Sequence, residues 1–226
     1  AWILAHFQVE KFWTNGAERQ EEFWRRIERA MVQRKLEATV ATEGRLISEA
    51  PACRMVVLNP QPRPESSISA KSESLNNLSV VTELVCREQR VLFTGDIERE
   101  ALTRLTHSGN SAHIALLKVP HHGAKSSLER RWLETIRPAV GVVSAGRRNP
   151  YGQPAGEVLA AYQAVETQIW RTDRDGAIWA ELDLTRQQLS MHSTREWILQ
   201  PALTSADIWS VEQDNLRRLW RRWNWT

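Results

Sequence analysis

The chain has 226 residues, enough for one sizeable hydrophobic core or two small ones. Hydrophobic residues make up 42% and charged residues 25%, an ordinary soluble globular profile that excludes a disordered or fibrous chain. A net charge of +3 is too small to argue alone for nucleic-acid binding, and two cysteines, Cys53 and Cys86, exclude a disulfide framework of several bridges.

Both cysteines fall in predicted strands and read first as small buried side chains, with a single bridge as the alternative. No run approaches the ~20 apolar residues of a membrane helix, and no signal-peptide pattern is present. The chain does not begin with Met, and Ala1 to Ala5 already read as the inside of an element. It therefore reads as a fragment of a longer protein. Of eleven tryptophans, five lie beyond residue 196.

In chain order, residues 1–7 read as the end of a helix and Val9 to Trp13 as a short strand, followed by the turn pair Asn15-Gly16. Residues 19–34 place Phe23, Ile27, Ala30 and Met31 on one predicted helical face. Strands are expected over 39–41 and 54–58, and a Pro- and Ser-rich loop over 60–74. Ser79 to Val85 and Arg90 to Thr94 resemble a hairpin.

From there the pattern alternates. Helices are expected over 97–106, 128–136 and 156–166, with strands over 113–119, 139–145, 168–171 and 177–184 and a turn at Asp173 to Gly176. This order predicts a mixed sheet with helices on its outer face. That is half of a two-sheet αββα sandwich, and a half alone leaves one sheet face uncovered.

Two segments combine chemistry-bearing residues with the end of a buried strand. Val91 to Phe93 runs into Thr94-Gly95-Asp96, setting a carboxylate at a sheet edge where α/β ligands bind. The plainer alternative makes Asp96 the N-cap of the next helix. Leu117 to Val119 runs into Pro120-His121-His122-Gly123, and adjacent imidazoles there can ligate a metal or move protons. Ser126 or Ser127 is expected to cap the helix that follows. The loop Asn149 to Pro154 follows a third strand and is placed at the same edge, without a strong ligand.

These segments, with Asn76-Asn77-Leu78-Ser79 and Arg171-Thr172-Asp173-Arg174-Asp175-Gly176, resemble in order and spacing the C-terminal metallo-β-lactamase-like domain of the ComEC family of DNA-uptake channels. The resemblance covers residues 1–184, and residues 185–226 form a second region, a strand and a Trp/Arg-rich helix. It implies Asp96 and His122 as metal ligands and His121 and His122 as catalytic histidines. It also implies Asn77, Ser79, Lys125, Ser126 and Ser127 near the substrate, with phosphate met by side chains and a helix N-terminus.

The implied cofactor is Zn²⁺ or Mn²⁺ in a two-metal hydrolase, with Asp96 bridging and a histidine protonating the leaving group. The implied partners are single-stranded DNA and a transmembrane channel within the same polypeptide. The implied place is the bacterial plasma membrane, with this domain on the extracytoplasmic side, where it acts as a nuclease on the strand that is not imported.

Two departures weigh toward the alternative, a catalytically degenerate DNA-binding or structural module of the same channel. The family's His-x-His-x-Asp-His motif is expected just upstream of Ala1. Where family members read Tyr-Gly-His-Pro-His-Pro, this chain reads Tyr151-Gly152-Gln153-Pro154-Ala155-Gly156, with Ala155 at the late histidine. The isolated chain is therefore expected not to hold catalytic metal tightly. A third reading is a metallo-hydrolase of the same fold acting on a small ester. Finally, residues 207–223 pattern as an amphipathic Trp/Arg helix, which docks on the domain, lies on a membrane surface, or meets DNA phosphates.

Overall fold

The computed structural model describes residues 2–17, 22–62, 74–107 and 113–195. The N-terminal elements are helix α1 (Trp2–His6), strand β1 (Phe12–Thr14), helix α2 (Glu22–Gln33) and strand β2 (Ala38–Val40), with β1 and β2 paired in parallel. Leu4, Ile27 and Met31 form a small core with Val9, Phe12, Trp24, Ala30 and Leu36 around it. The helical face differs from the expected one by its first member: Phe23 is 67% exposed, and Trp24 takes the inward place. Trp24, Ile27 and Met31 are spaced three and four apart, so they share one stripe, and one residue of rotation separates it from Phe23.

Seven strands follow, and they lie in the main sheet in sequence order. These are β3 (Leu46–Ala50), β4 (Cys53–Asn59), β5 (Val81–Cys86), β6 (Gln89–Phe93), β7 (Leu116–Lys118), β8 (Val140–Val143) and β9 (Gln168–Arg171). The first four pair antiparallel, the last four parallel. Strand β3 was not legible in the sequence because it is an exposed edge strand with Ser48 and Glu49 inside it, which hides any apolar alternation. The β5–β6 hairpin lies where expected.

Helices α3 (Arg99–His107), α4 (Arg130–Ile136) and α5 (Gly156–Ala164) carry the chain from each parallel strand to the next. Leu102, Leu133 and Val158 from these helices pack with Leu92, Leu117 and Val143 of the sheet in one core. In β7, buried Leu117 is flanked by half-exposed Leu116 and Lys118, the period-two alternation of a sheet packed mainly on one side. The expected mixed α/β sheet flanked by helices is therefore the architecture found.

After β9 comes a short helical turn, α6 (Thr172–Asp175), where a plain turn was expected. Strands β10 (Ile178–Asp183) and β11 (Gln188–Ser193) then form a separate antiparallel pair. The 184/185 boundary drawn from the sequence falls in the turn between them. The Trp/Arg pattern at 207–223 lies outside the described residues. Among those residues no helix is long and apolar enough to cross a membrane.

The cysteines depart from the first reading. Cys53 and Cys86 stand opposite each other in the β4–β5 register and are joined as a disulfide, with Cα atoms 4.1 Å apart. Their separation of 33 residues concealed this, since only the register makes them neighbours. Closing a loop of that length stabilises a fold by ~2–4 kcal/mol in the chain-entropy account. The untreated chain should show no free thiols by thiol titration, and a Cys53→Ser/Cys86→Ser variant should unfold at lower urea by that order of free energy. Two free thiols, or an unchanged midpoint on reduction, would contradict the bridge.

Candidate active site

Strands β6 to β9 run parallel, so their C-terminal ends share one edge, and the four loops that leave them meet there. In such sheets ligands bind outside the carboxyl ends of the strands, where neighbouring loops diverge. A cleft of about 470 Å³ opens at this edge, lined by Asp96, His121 and His122, by 144–146 after β8, and by Asn149, Tyr151 and Gln153.

The β6 loop is shaped from behind. Gly95 has φ +58°, and a Cβ there would lie 2.7 Å from Ser79 Cβ, so this close, left-handed passage requires glycine. The Asp96 amide donates to Ser79 Oγ (3.1 Å), and the Glu98 amide donates to Asn77 Oδ1 (2.8 Å). The Asn77 amide group donates in turn to the Glu100 carboxylate. Asn59 Nδ2 holds the carbonyls of both Asn77 (2.9 Å) and Ser79 (2.8 Å). Asn77 is fully buried, so these polar atoms lie beneath the cleft rather than along it.

The helix-cap alternative for Asp96 does not describe this loop. α3 begins at Arg99, and the amide of Glu98 is met by Asn77. The Asp96 carboxylate instead faces Lys118 Nζ (3.8 Å) and His122 Nε2 (3.7 Å). Burial pushes the Lys118 ammonium below its ordinary pKa, while the charge of Asp96 opposes the shift. Lys118 Nζ also donates to the Gly95 carbonyl (3.0 Å), and buried Thr94 Oγ1 to the Lys118 carbonyl (2.7 Å), so the ends of β6 and β7 are tied together.

After β7 the backbone turns through three left-handed residues: His121 (φ 45°), His122 (φ 57°) and Gly123 (φ 78°). For each histidine this costs of order 1–3 kcal/mol and persists only where the surroundings enforce it. Here the His121 amide donates to the Gly95 carbonyl (3.2 Å) and the Ala155 amide to the Gly123 carbonyl (2.9 Å). Ser127 is buried and donates to the carbonyls of Pro120 (3.0 Å) and Ala124 (2.8 Å). It therefore braces the turn. Neither it nor Ser126 caps α4, whose N-cap is Glu129, accepting from the Arg131 amide (3.0 Å). Ser126 stays exposed with Oγ 3.4 Å from His121 Nδ1, and exposed Lys125 lies 3.7 Å from the Glu157 carboxylate.

The strained turn aims the two imidazoles differently. His122 Nδ1 lies 2.6 Å from the Ser144 carbonyl. A carbonyl only accepts, so Nδ1 carries a proton, and in the neutral ring the Nε2 lone pair faces Asp96. His121 Nδ1 lies 3.3 Å from Glu98 Oε1. Burial pushes the Glu98 carboxyl up, but hydrogen bonds from Ser126, Ser74 and Asn76 and the charge of His121 outweigh it, so the carboxyl sits below its ordinary value. Glu98 and Lys118 were missed as site residues. The signal lay in their position, a carboxylate two residues past Asp96 and a lysine at the end of an apolar strand.

The remaining loops are clasped. Asn149 Nδ2 donates to the Gln153 carbonyl (2.7 Å) while its Oδ1 accepts from the Gln153 amide (3.0 Å), holding exposed Tyr151 at the rim. Thr172 Oγ1 accepts from the Ala145 amide (2.8 Å) and donates to its carbonyl (2.9 Å), fixing the β8 loop against α6. Arg171 and Asp173 form a bidentate, largely buried pair (3.0 and 2.6 Å), and this bonding holds the Asp173 carboxyl below its ordinary value. Ala155, at the late-histidine position of the resemblance, is buried and meets the turn through its backbone.

Does this chemistry suit a divalent cation? His122 Nε2 lies 3.7 Å from a carboxylate oxygen, while two ligands of a tetrahedral Zn²⁺ stand roughly 3.4 Å apart. The outward hydrogen bond from Nδ1 is the usual support of a ligating histidine. Asp96 and His122 thus fit as two ligands. Among the described residues no group of three or more His, Cys, Asp or Glu is placed to hold a metal, so they form half a coordination shell.

The fold is an α/β domain whose mixed sheet, flanked by helices, gathers a carboxylate and two histidines at its carboxyl edge. Its homologues are ComEC-family proteins. The chain is 31% identical over 105 residues to ComE operon protein 3 of Bacillus subtilis, a match covering 46% of this chain and 14% of that protein. It is 29% identical over 105 residues to Recombination protein 2 of Haemophilus influenzae, covering 46% and 13%. An uncharacterized protein of Escherichia coli, YcaI, matches at 29% over 133 residues, 58% and 17%. The chain thus spans between about an eighth and a sixth of the length of these curated relatives. No family model matches it. A solved structure described as a putative metal-dependent hydrolase from Parabacteroides distasonis overlaps at a TM-score of 0.40 with 10% identity, covering 65% of this chain and 62% of that one, too slight a likeness to carry an argument.

Two outcomes follow from the bracing. Asn77→Ala should destabilise the fold by about 2–3 kcal/mol in urea melts, because it leaves buried partners unmet. A change within ~0.5 kcal/mol would instead mark Asn77 as a surface polar group. Asp173→Asn should cost about 1–3 kcal/mol, because the part-buried Arg171 loses its charged acceptor. Because the folded Asp173 carboxyl lies below its ordinary value, its stabilisation is complete above the ordinary carboxylate range and is lost as pH falls below it. Wild type should therefore lose stability in acid more steeply than Asp173→Asn. Parallel acid profiles would refute the pairing.

Proposed function

We propose that this chain is part of a longer ComEC-type protein of DNA uptake, and that its cleft belongs to a metal-dependent phosphodiesterase acting on DNA. One observation carries the reading: His122 Nε2 and the Asp96 carboxylate face each other at 3.7 Å across an open cleft. An electron-rich pair of this kind is suited to a cation. Competence-family homologues at about 30% identity support DNA as the partner.

Asp96 and His122 would hold a divalent cation, Zn²⁺ or Mn²⁺, which when bound supplies Lewis acidity toward a phosphodiester. The remaining ligands come from outside the described residues, in line with the upstream histidine motif the resemblance implies. His121 donates its Nδ1–H to Glu98, which orients the ring. In its protonated form His121 then has a second N–H to offer the leaving oxygen of the scissile phosphate. Lys118 stays beside Asp96, its amine 3.8 Å from the carboxylate. Ser126 lies close enough to adjust the His121 ring, and exposed Lys125 stands beyond it for phosphate. The nuclease step on the non-imported strand belongs to this proposal.

The Cys53–Cys86 bridge supports an extracytoplasmic position for the domain beside the plasma membrane, because disulfides persist in oxidising compartments. A channel portion of the same polypeptide and membrane contact by the 207–223 segment complete the proposed partners. A second reading, a non-catalytic DNA-binding module, is favoured by Ala155 at the position of the late histidine in the resemblance.

Cleavage of single-stranded and duplex DNA with Mn²⁺ or Zn²⁺, by this chain and by the longer protein, separates the two. The enzyme reading expects cleavage by the longer protein, abolished by Asp96→Ala and slowed about 10²–10⁴-fold by His121→Ala, the range of a lost general acid. This chain alone should lose its metal on dialysis. Stoichiometric retained metal would overturn the half-shell account. DNA binding by the longer protein without cleavage would favour the module.

A further inference from the structure

A second cleft adjoins the first. It has a volume of about 420 Å³ and is lined by Arg147, Arg174, Arg195 and Thr194, with Asp173, Asp175 and Gly176. The two clefts are neighbours along the chain: Gly146 lines the first and Arg147 the second. Thr172 clamps Ala145 to α6, so the ridge between the clefts and the floor of the second are one braced unit.

The charges in this cleft do not cancel. Asp173 is committed to Arg171 through two hydrogen bonds, and Asp175 Oδ2 accepts from the Arg171 amide at 2.8 Å. No ion pair joins Arg147, Arg174 or Arg195 to a described residue, although the charge of Arg174 helps hold the Asp173 carboxyl low, and all three are exposed. Arg195 Nη1 reaches the Arg174 carbonyl at 3.5 Å, which turns that guanidinium across the end of α6. Gly176 is needed where it stands, since a Cβ there would lie 2.1 Å from Thr194 Oγ1. The β11 end that carries Thr194 and Arg195 is thereby held close against α6.

Three arginines lining one open cleft are suited to phosphate, because planar guanidinium forks bind its oxygens two at a time. A nucleic-acid strand has a phosphate at every nucleotide, so a strand seated in the first cleft places a flanking phosphate within reach across the 146–147 ridge. We infer that the Arg147–Arg174–Arg195 cleft is a phosphodiester-binding subsite that grips the strand beside the Asp96–His122 cleft. The inference rests on the nucleic-acid reading above for its ligand, though not on catalysis.

The test is fluorescence anisotropy of a labelled twelve-nucleotide oligothymidylate with the full chain, from low to physiological salt. Each phosphate contact on a single strand contributes about 0.7 to the slope of log affinity against log salt. Replacing all three arginines by Gln should weaken binding on the order of tenfold and flatten the slope by about 2. Arg54→Gln, at an exposed position of β4 outside both clefts, should leave the slope as it is. The exposed single variants Arg147→Gln and Arg174→Gln, with unchanged melting curves, should each give part of the effect and guard against a misfolded triple variant.

Equal affinity and slope in wild type and triple variant would overturn the subsite, as would a wild-type chain that does not bind the oligonucleotide. Arginine-dependent binding to vesicles of anionic lipid but not to the oligonucleotide would overturn it in favour of a membrane contact. Arginine-dependent binding by a protein that never cleaves would leave the subsite standing and remove only the nuclease reading.

Discussion

The 2.6 Å hydrogen bond from His122 Nδ1 to the Ser144 carbonyl joins the ends of two parallel strands and fixes which ring nitrogen is free. With a proton held on Nδ1, Nε2 is the nitrogen turned to the cleft, and what it meets is the Asp96 carboxylate. Such an arrangement is stable only if a proton or a cation lies between the two, or if another charge compensates. Lys118 supplies part of that compensation from the side. The chemistry of the cleft follows from this arrangement more than from the mere presence of two histidines.

Holding that geometry takes two unfavourable backbone conformations and a buried polar layer. His121 and His122 both adopt left-handed φ, and the cost is offset by the hydrogen bonds that tie the turn to Gly95, Ala155 and Ser127. Beneath the Asp96 loop, Asn59, Asn77 and Ser79 meet one another and the loop amides in a connected network. A half-satisfied network would be worse than an apolar one, which explains why three polar residues recur behind one carboxylate.

The strand–helix alternation from residue 91 onward was legible because each parallel strand is an apolar run and each helix has its own apolar face. The convergence of Asp96, His121 and His122 on one edge was also legible, since strand-end positions map to one edge once the strands are parallel. What could not be read was anything set by register or by side-chain direction. Cys53 and Cys86 became partners only through β4–β5 pairing, and Phe23 and Trp24 exchanged places by one helical step. Asn77 and Ser127, which the sequence set beside the substrate, turn inward to brace the backbone. Glu98 and the arginine cleft were hidden for the opposite reason: ordinary charged residues acquire meaning only from what they face.

The central physical claim is the tautomer of His122 and the direction of its free nitrogen. Nitrogen-15 NMR of the imidazole rings, with and without added Zn²⁺, reads both directly. The account predicts a proton on His122 Nδ1 with and without the metal, and a Zn²⁺-induced shift at Nε2 that disappears in Asp96→Ala. A bare Nδ1, or a spectrum that Zn²⁺ leaves unchanged at every concentration, would contradict it.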